Sequence, residues 1–198
     1  TDWSNLKFVR RVSYDLDCNW KVFVDNYLDG GYHVNTLHPS LASAINYKEY
    51  RTMAEGETAI QFSPLNSNNK NVDVANVRRG DMAYYAWAYP GFMLNLYEGV
   101  MDTNLVIPMG PEKCRVHFDY FFSETNGDAA QKFIESSIAV AHQVQLEDQE
   151  ICESVQRGLG SRTFQTGRFS ASREVAAYHF HQLAYRAISP AKREPLRT

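Results

Sequence analysis

Residues 19–41 have the sequence NWKVFVDNYLDGGYHVNTLHPSL, and this stretch decides how the rest of the chain is interpreted. Its two histidines, His33 and His38, are five residues apart, and Pro39 follows the second. In a regular α-helix, side chains at that spacing point about 140° apart, because each residue turns the chain by about 100°. Here a glycine pair before His33 and the proline after His38 both disfavour regular helix. The two imidazoles can therefore turn toward one point, and we predict that the segment supplies most of a metal site around which the chain folds.

The composition is that of a single globular domain spanning residues 1–198. Hydrophobic residues make up 44% of the chain, and the net charge is −3, with acidic and basic residues mixed along the sequence. No basic run marks a nucleic-acid surface, and no apolar stretch reaches the about 18–20 residues that cross a bilayer. We therefore expect neither a nucleic acid nor a membrane as a partner.

The three cysteines, Cys18, Cys114 and Cys152, are widely spaced. They form neither a CxxC nor a CxH pair, so the pattern predicts neither a zinc site nor a disulfide framework. Free and mostly buried thiols are typical of a reducing compartment. We therefore expect a cytoplasmic protein.

The first third of the chain alternates between predicted elements and irregular segments. Residues 6–16 alternate as a strand does, and residues 20–28 have the periodicity of a helix. The chain is expected to be irregular after Pro39, until a short strand at 57–65. Residues 66–71, NSNNKN, are polar and turn-forming, so we expect an exposed loop there.

The middle of the chain, residues 82–123, has β character throughout. Four runs rich in aromatic and β-branched residues are separated by glycines and prolines, a spacing that favours an antiparallel meander. In the last run, the alternation predicts that Val116, Phe118 and Tyr120 share one face.

Two helices are predicted to follow the meander, at residues 128–159 and 172–188. A strand and a helix, then a sheet, then long helices indicate an α+β domain with its helices on one face of an antiparallel sheet.

Asp148 is an anomaly on the longer helix. It lies within an apolar stripe at spacings of three and four, whereas its neighbours Glu147, Gln149 and Glu150 are expected to point to solvent. The stripe consists of Val140, Val144, Ile151, Cys152, Val155 and Leu159. A carboxylate that faces a core is unfavourable unless it is paired or bound to a cation. Two histidines and one carboxylate that leave open positions are what a non-haem iron(II) site needs.

Other interpretations of these residues remain open at this point. Asp148 can instead pair with an arginine such as Arg157 or Arg162. A second pair of histidines lies two residues apart on a predicted helix, where the two side chains face different directions. We expect the remaining histidines to be structural: His117, His142, His179 and His181.

The opening stretch resembles the iron-site signature of the α subunits of Rieske-type non-haem iron oxygenases. That signature has Asn-Trp-Lys, an acidic residue with Asn, Tyr-His, four residues and a second His. The matching positions are Asn19, Trp20, Lys21, Asp25, Asn26, Tyr32, His33 and His38. The family's third ligand is the Asp of a helical Glu-Asp pair, which matches Glu147 and Asp148. The resemblance covers nearly the whole chain and is to the branch that contains choline monooxygenase and related quaternary-ammonium oxygenases.

This resemblance implies a helix-grip fold, in which an antiparallel sheet packs on a long helix around an inner cavity. It implies that His33, His38 and Asp148 hold a mononuclear Fe(II) and that Asn26 orients these ligands. Family members also carry an N-terminal Rieske domain with a [2Fe–2S] cluster bound by Cys-x-His and Cys-x-x-His. The chain has neither motif, so we expect it to be the catalytic domain alone.

The resemblance also implies a route for electrons and a set of partners. In the family, an acidic residue three positions before the first histidine links the iron ligands to the cluster of a neighbouring subunit. That position is Gly30 here, so Asp29 is the candidate for the role. The implied partners are O₂, a small substrate, a reductase or ferredoxin, and two further copies in a homotrimer.

The implied reaction is hydroxylation or N-demethylation of a small substrate, with a quaternary ammonium compound as the candidate. Aromatic-ring cis-dihydroxylation is the alternative within the family. An alternative of another class is a metal-free module of the same fold that binds lipids or small molecules. Six aromatic residues can form a cation–π box for an ammonium group, although core packing is favoured for most of them: Tyr84, Tyr85, Trp87, Tyr89, Phe92 and Tyr97.

Overall fold

The computed structural model describes residues 3–66 and 72–189. The predicted exposed loop at 66–71 therefore lies outside the described residues, apart from Asn66. Within the described ranges, every helix is too short or too polar to cross a membrane.

A seven-stranded antiparallel sheet forms one layer of the domain. Its strands are β1 (Lys7–Leu16), β2 (Arg51–Glu55), β3 (Thr58–Pro64), β4 (Met82–Ala88), β5 (Phe92–Tyr97), β6 (Val100–Gly110) and β7 (Lys113–Phe122). They lie in the order β1-β7-β6-β5-β4-β3-β2. Since β1 and β2 are the two edge strands, the segment between them has to pass from one edge of the sheet to the other.

In the part of the chain that the structure describes, six α-helices form the second layer: α1 (Trp20–Leu28), α2 (Val34–Leu37), α3 (Pro39–Ala44), α4 (Val72–Val77), α5 (Asp128–Leu159) and α6 (Val175–Ile188). The first three lie in the segment that joins the two edge strands. Helix α5 contacts α1, α4 and β1, and α6 contacts α1 and β2. The predicted α+β class is confirmed, as are the bounds of the helices at 20–28 and 128–159.

The core lies between the inner face of the sheet and α5. In β7, every second residue is buried, as the alternation predicted: Cys114, Val116, Phe118, Tyr120 and Phe122. The facing side of α5 buries residues at helical spacing: Ile134, Ile138, Ala141, Gln145 and Cys152. Burial of each large apolar side chain contributes about 1.5–3 kcal/mol, so this interface fixes α5 on the sheet.

The predicted stripe on α5 was wrong at its C-terminal end. Val155 and Leu159 are 43% and 42% exposed, and no residue after Cys152 in this helix is buried. The spacing of apolar residues in the last two turns therefore does not mark core contact. Asp148 nevertheless lies on the buried side, between Gln145 and Cys152.

Three other elements differ from the prediction. The last helix begins at Val175 rather than at residue 172. The segment after Pro39 is not irregular, because the proline begins α3, where its missing N–H is harmless. The edge strand β2 was not predicted, since its side chains alternate only between exposed and half-buried.

The aromatic residues of β4 and β5 divide between the core and a cavity. Trp87 is 2% exposed and packs edge-on against Phe180 of α6, with ring centroids 5.6 Å apart. Tyr84 packs on Phe62 of the neighbouring strand, and Phe92 is 42% exposed. All three cysteines are free and buried, as predicted.

Candidate metal centre

The end of α1 sets the position of the first histidine. The side chain of Asn19 caps the start of this helix by accepting a hydrogen bond from the Lys21 N–H. After Asp29 the helix stops, because Gly30 and Gly31 adopt φ angles of 74° and 72°, a left-handed conformation that favours glycine. The chain turns there and returns with His33.

Asp29 fixes the orientation of the His33 ring. One carboxylate oxygen accepts the backbone N–H of Tyr32 at 3.0 Å. The other accepts the backbone N–H of His33 at 2.8 Å and lies 2.7 Å from its Nδ1. A carboxylate at Nδ1 favours a proton on that nitrogen, so Nε2 is left with a lone pair that faces away from Asp29.

Gly30 has no room for any side chain. A Cβ atom added there would lie 2.1 Å from the backbone oxygen of Arg173 and 2.8 Å from its carbonyl carbon. The acid that the family pattern places three residues before the first histidine therefore cannot be accommodated in this backbone. The acid that contacts His33 is four residues before it.

His38 lies between α2 and α3 and is fully buried. Its Nδ1 is 2.6 Å from a carboxylate oxygen of Glu147, and the other oxygen of Glu147 accepts from the Gln143 amide. The expectation that Glu147 points to solvent was therefore wrong. Its long side chain extends from the edge of the buried face of α5 back to the imidazole.

Asp148 completes the cluster. Its Oδ1 accepts a hydrogen bond from the Asn26 amide at 2.7 Å, and lies 3.0 Å from Nε2 of His38 and 3.6 Å from Nε2 of His33. The three candidate ligand atoms all lie within 4.8 Å of one another. Although Arg157 and Arg162 are in the described part of the chain, neither forms an ion pair with Asp148.

These donor atoms suit a divalent transition metal. With a proton on each Nδ1, which faces a carboxylate, two imidazole lone pairs and one carboxylate oxygen converge on one point, an arrangement that a bound cation would stabilise. Imidazole nitrogens suit iron, zinc and copper, and a set of two histidines and one carboxylate leaves positions open for other ligands. The residues present therefore fit the mononuclear iron that the resemblance implies.

The electrostatics of His38 reflect the same convergence. Burial lowers the pKa of His38, but the hydrogen bonds and negative charges of Asp148 and Glu147 outweigh that effect, so its pKa is raised. The site therefore attracts positive charge.

The cluster opens into a cavity between α5 and the sheet, with a volume of about 100 Å³ as traced by the centre of a water molecule. On the sheet side, the lining includes polar residues: Gln61, Asn95, Asp102 and Asn104. Asp102 is 3% exposed, and one of its oxygens accepts from both asparagine amides at 2.7 and 2.9 Å. Burial raises the pKa of Asp102, although Arg78 and these two hydrogen bonds oppose the effect.

Sequence reasoning missed these polar residues, although a signal was present. In VMDTNLV, Asp102 and Asn104 fall on the same alternating face as Val100 and Val106, all four of which are buried. Polar residues that share the core-facing positions of a strand are unusual, and here they mark the wall of the cavity.

Two of the six predicted aromatic residues, Tyr85 and Tyr97, line the cavity, as do Tyr27 and Tyr50. The hydroxyl groups of Tyr85 and Tyr97 are 2.9 Å apart, and the guanidinium of Arg78 lies 4.5 Å from the centre of the Tyr97 ring. Tyrosine side chains therefore form part of the cavity wall, and Arg78 lies over one of them.

The remaining histidines bond elsewhere in the structure. His179 donates to the backbone oxygen of Gly56, and His181 pairs with Asp25. The other two contact strand β1: His117 bonds Ser13, and His142 bonds Tyr14.

A sheet packed on a long helix, with two histidines and a carboxylate at a cavity between them, is an arrangement suited to a non-haem iron oxygenase. Comparison with known proteins identifies the family. Residues 3–189 match the family described as the ring hydroxylating alpha subunit (catalytic domain), and the chain belongs to this family.

Individual relatives agree with this assignment. The chain is 44% identical to the chloroplastic choline monooxygenase of Arabidopsis thaliana, over 92% of this chain and 42% of that protein. It is 28% identical to the carnitine monooxygenase oxygenase subunit of Acinetobacter pittii (strain PHEA-2), over 91% of this chain and 49% of that protein.

A solved structure confirms the helix-grip arrangement. A crystal structure of the quaternary ammonium Rieske monooxygenase CntA superposes with a TM-score of 0.77 at 26% identity, covering 92% of this chain and 50% of that chain. The chain thus spans about half the length of these relatives, or less. The cytoplasmic location stays a prediction, since the Arabidopsis relative is chloroplastic.

Proposed function

We propose that the chain is the catalytic domain of a Rieske-type oxygenase, and that it binds one Fe(II) through His33, His38 and Asp148. The observation that carries this proposal is the convergence of three candidate ligand atoms within 4.8 Å beside a cavity, in a chain of the ring-hydroxylating family. When bound, the iron would supply activation of O₂ for insertion of oxygen into a substrate.

The protein's own groups would prepare this site. Asp29 and Glu147 each hold the Nδ1 proton of one histidine, so both Nε2 atoms stay available to the metal. The Asn26 amide holds Asp148 from one side. Asn26 lies in α1, Asp29 lies directly after it and Glu147 lies in α5, so the fold itself would orient the ligands before the metal binds.

We propose a small organic cation, of the quaternary ammonium class, as the substrate. The named relatives act on choline and carnitine, and tyrosine side chains, to which cations are attracted, line the cavity. The four polar residues of the sheet wall suit a charged substrate better than an aromatic hydrocarbon, which favours hydroxylation or N-demethylation over ring dihydroxylation.

Electrons would come from a Rieske [2Fe–2S] cluster outside this chain, supplied by a reductase or ferredoxin. Inter-subunit electron transfer is described for a quaternary ammonium Rieske monooxygenase, and we propose a homotrimer in which a neighbour's cluster faces Asp29. Two features support that position: Asp29 contacts His33 directly, and the adjacent Tyr32 is 66% exposed.

Iron binding tests the proposed function. After anaerobic reconstitution with Fe(II) and desalting, the chain is expected to retain about one iron, measured by elemental analysis. The His33→Ala variant is expected to lose it while keeping its circular dichroism spectrum. The matched control is His179→Ala, which removes a histidine that bonds the backbone of Gly56 and should retain the iron.

Failure of the wild-type chain to retain iron would refute the oxygenase and leave the metal-free binding module as the better explanation. Turnover is a later test, because it needs the Rieske domain and the reductase as well as this chain.

Glu147→Gln is expected to weaken Fe(II) binding by about 10–100-fold, the usual consequence of losing an outer partner of a ligand. The amide keeps the length of the side chain but removes the negative charge beside Nδ1 of His38. The measurement is a competitive titration against a chromogenic chelator. Glu150→Gln, on the exposed side of the same helix, is the control, and equal affinity of the two variants would contradict the role of Glu147.

A further inference from the structure

Gln145 lies on the buried face of α5, three residues before Asp148. It is 1% exposed and lines the cavity. Neither its amide nitrogen nor its amide oxygen has a hydrogen-bond partner within the part of the chain that the structure describes. Since buried polar groups in proteins are nearly always paired, this amide calls for a partner that enters the cavity from outside.

Two further polar atoms in residues that line the cavity also have no hydrogen-bond partner among the described residues. Gln61 donates its amide N–H to the backbone oxygen of Tyr27, and its Oε1 has no partner among the described residues. The Nε–H of Arg78 is likewise unpaired within the described ranges. The cavity thus offers free donors, on Gln145 and Arg78, together with free acceptors, on Gln145 and Gln61.

The Gln145 amide offers both a free donor and a free acceptor, and this favours a ligand group that can both donate and accept a hydrogen bond. A carboxylate only accepts hydrogen bonds, so at Gln145 it would pair the amide N–H and leave the amide oxygen unpaired. Burial lowers the pKa of Arg78, but the nearby Tyr97 and Asp102 outweigh this effect and raise it, so the guanidinium already has an acidic group close to it. A neutral hydroxyl both donates and accepts, and can therefore pair both polar atoms of the Gln145 amide.

We infer that Gln145 is a specificity-determining residue that hydrogen-bonds a hydroxyl group of the substrate. Its amide oxygen accepts the hydroxyl proton, and its amide N–H donates to the hydroxyl oxygen. Three residues along a helix correspond to about 4.5 Å, so the hydroxyl is held within one turn of Asp148. This inference rests on the proposed function, and assigns one residue of this chain to the hydroxyl group that choline, the substrate in the name of one relative, carries.

A pair of probes tests the inference without relying on a variant. Choline and propyltrimethylammonium differ only in that a methyl group replaces the hydroxyl. By isothermal titration calorimetry, the wild-type chain is expected to bind choline at least about tenfold more tightly, because the methyl probe leaves the buried amide unpaired. In Gln145→Leu, the ratio of the two dissociation constants is expected to fall to about one.

Gln131→Leu is the matched control, since Gln131 lies on the exposed side of the same helix and its substitution should preserve the wild-type ratio. Equal binding of the two probes by the wild-type chain, binding of neither probe, or an unchanged ratio in Gln145→Leu would each overturn the inference. Iron titration of the same preparations separates the two proposals: retained iron without a preference for choline refutes the role of Gln145 alone, whereas loss of iron from the wild-type chain refutes the proposed function.

Discussion

Asp148→Asn is expected to abolish measurable retention of Fe(II) while the chain stays folded. The substitution replaces the one anionic ligand with a neutral amide, so the loss of affinity should exceed the about 10–100-fold that follows from loss of an outer partner. The fold should persist because the amide oxygen at this position can still accept the hydrogen bond from Asn26.

Thermal and chemical unfolding provide the measurement. A ligand at 100 times its dissociation constant stabilises the folded state by about 2.7 kcal/mol, so Fe(II) added anaerobically at that excess should raise the free energy of unfolding of the wild-type chain by this amount. The Asp148→Asn chain should show no increase. The control is Asp25→Asn, which alters a half-exposed carboxylate paired with His181. Equal stabilisation of Asp148→Asn and Asp25→Asn would contradict Asp148 as a ligand.

Gly30→Ala is expected to destabilise the chain by about 2–5 kcal/mol. A left-handed backbone conformation costs an L-residue about 1–2 kcal/mol, and the φ of Gly30 is 74°. The overlap of the new Cβ with the backbone of Arg173 adds about 1–3 kcal/mol, because a backbone atom cannot move aside as a side chain does. For a domain of ordinary stability, about 5–15 kcal/mol, this is a large fraction of the total.

Gly56→Ala is the matched control for the glycine prediction. Gly56 has a φ of 58°, but a Cβ added there meets nothing within 4 Å. Urea unfolding of the two variants should therefore differ by about 1–3 kcal/mol, the contribution of the overlap alone. Equal losses would show that the backbone near Arg173 moves to accept a side chain, and that an acid at position 30 is sterically possible.

The elements that were predicted correctly are those in which local pattern and tertiary contact agree. Helix α1 has a capping asparagine at its start and a glycine pair at its end, and β7 alternates regularly between buried and exposed residues. Strand β2 pairs at the edge of the sheet without burying any residue, so its sequence has no apolar alternation to detect. Apolar spacing in the last turns of α5 gave a false signal, since that spacing does not depend on whether anything covers the helix.

The three candidate metal ligands could be predicted from the sequence, but two of the residues around them, Glu147 and Gln145, could not. His33 and His38 could be selected because a glycine pair and a proline interrupt the helix around them, and Asp148 because a carboxylate on an apolar face is anomalous. The partner carboxylate of His38 could not be found in this way. Glu147 is next to Asp148 in sequence but about 100° away around the helix, and only the position of His38 in the folded chain shows that the side chain turns back. Gln145 was missed for a related reason: an amide within a helical stripe gives no sign of whether a partner faces it.

The contact between Asp29 and His33 affects how related sequences should be searched. The number of residues that separates the acid from the histidine depends on where α1 ends. Here two glycines with positive φ angles follow Asp29, and the acid contacts a histidine four residues later. A search pattern that requires an acid three residues before the first histidine would reject this chain, although the carboxylate is in contact with the ring. A pattern that permits an offset of four whenever two glycines follow the acid would recover this chain, together with any relatives that make the same turn.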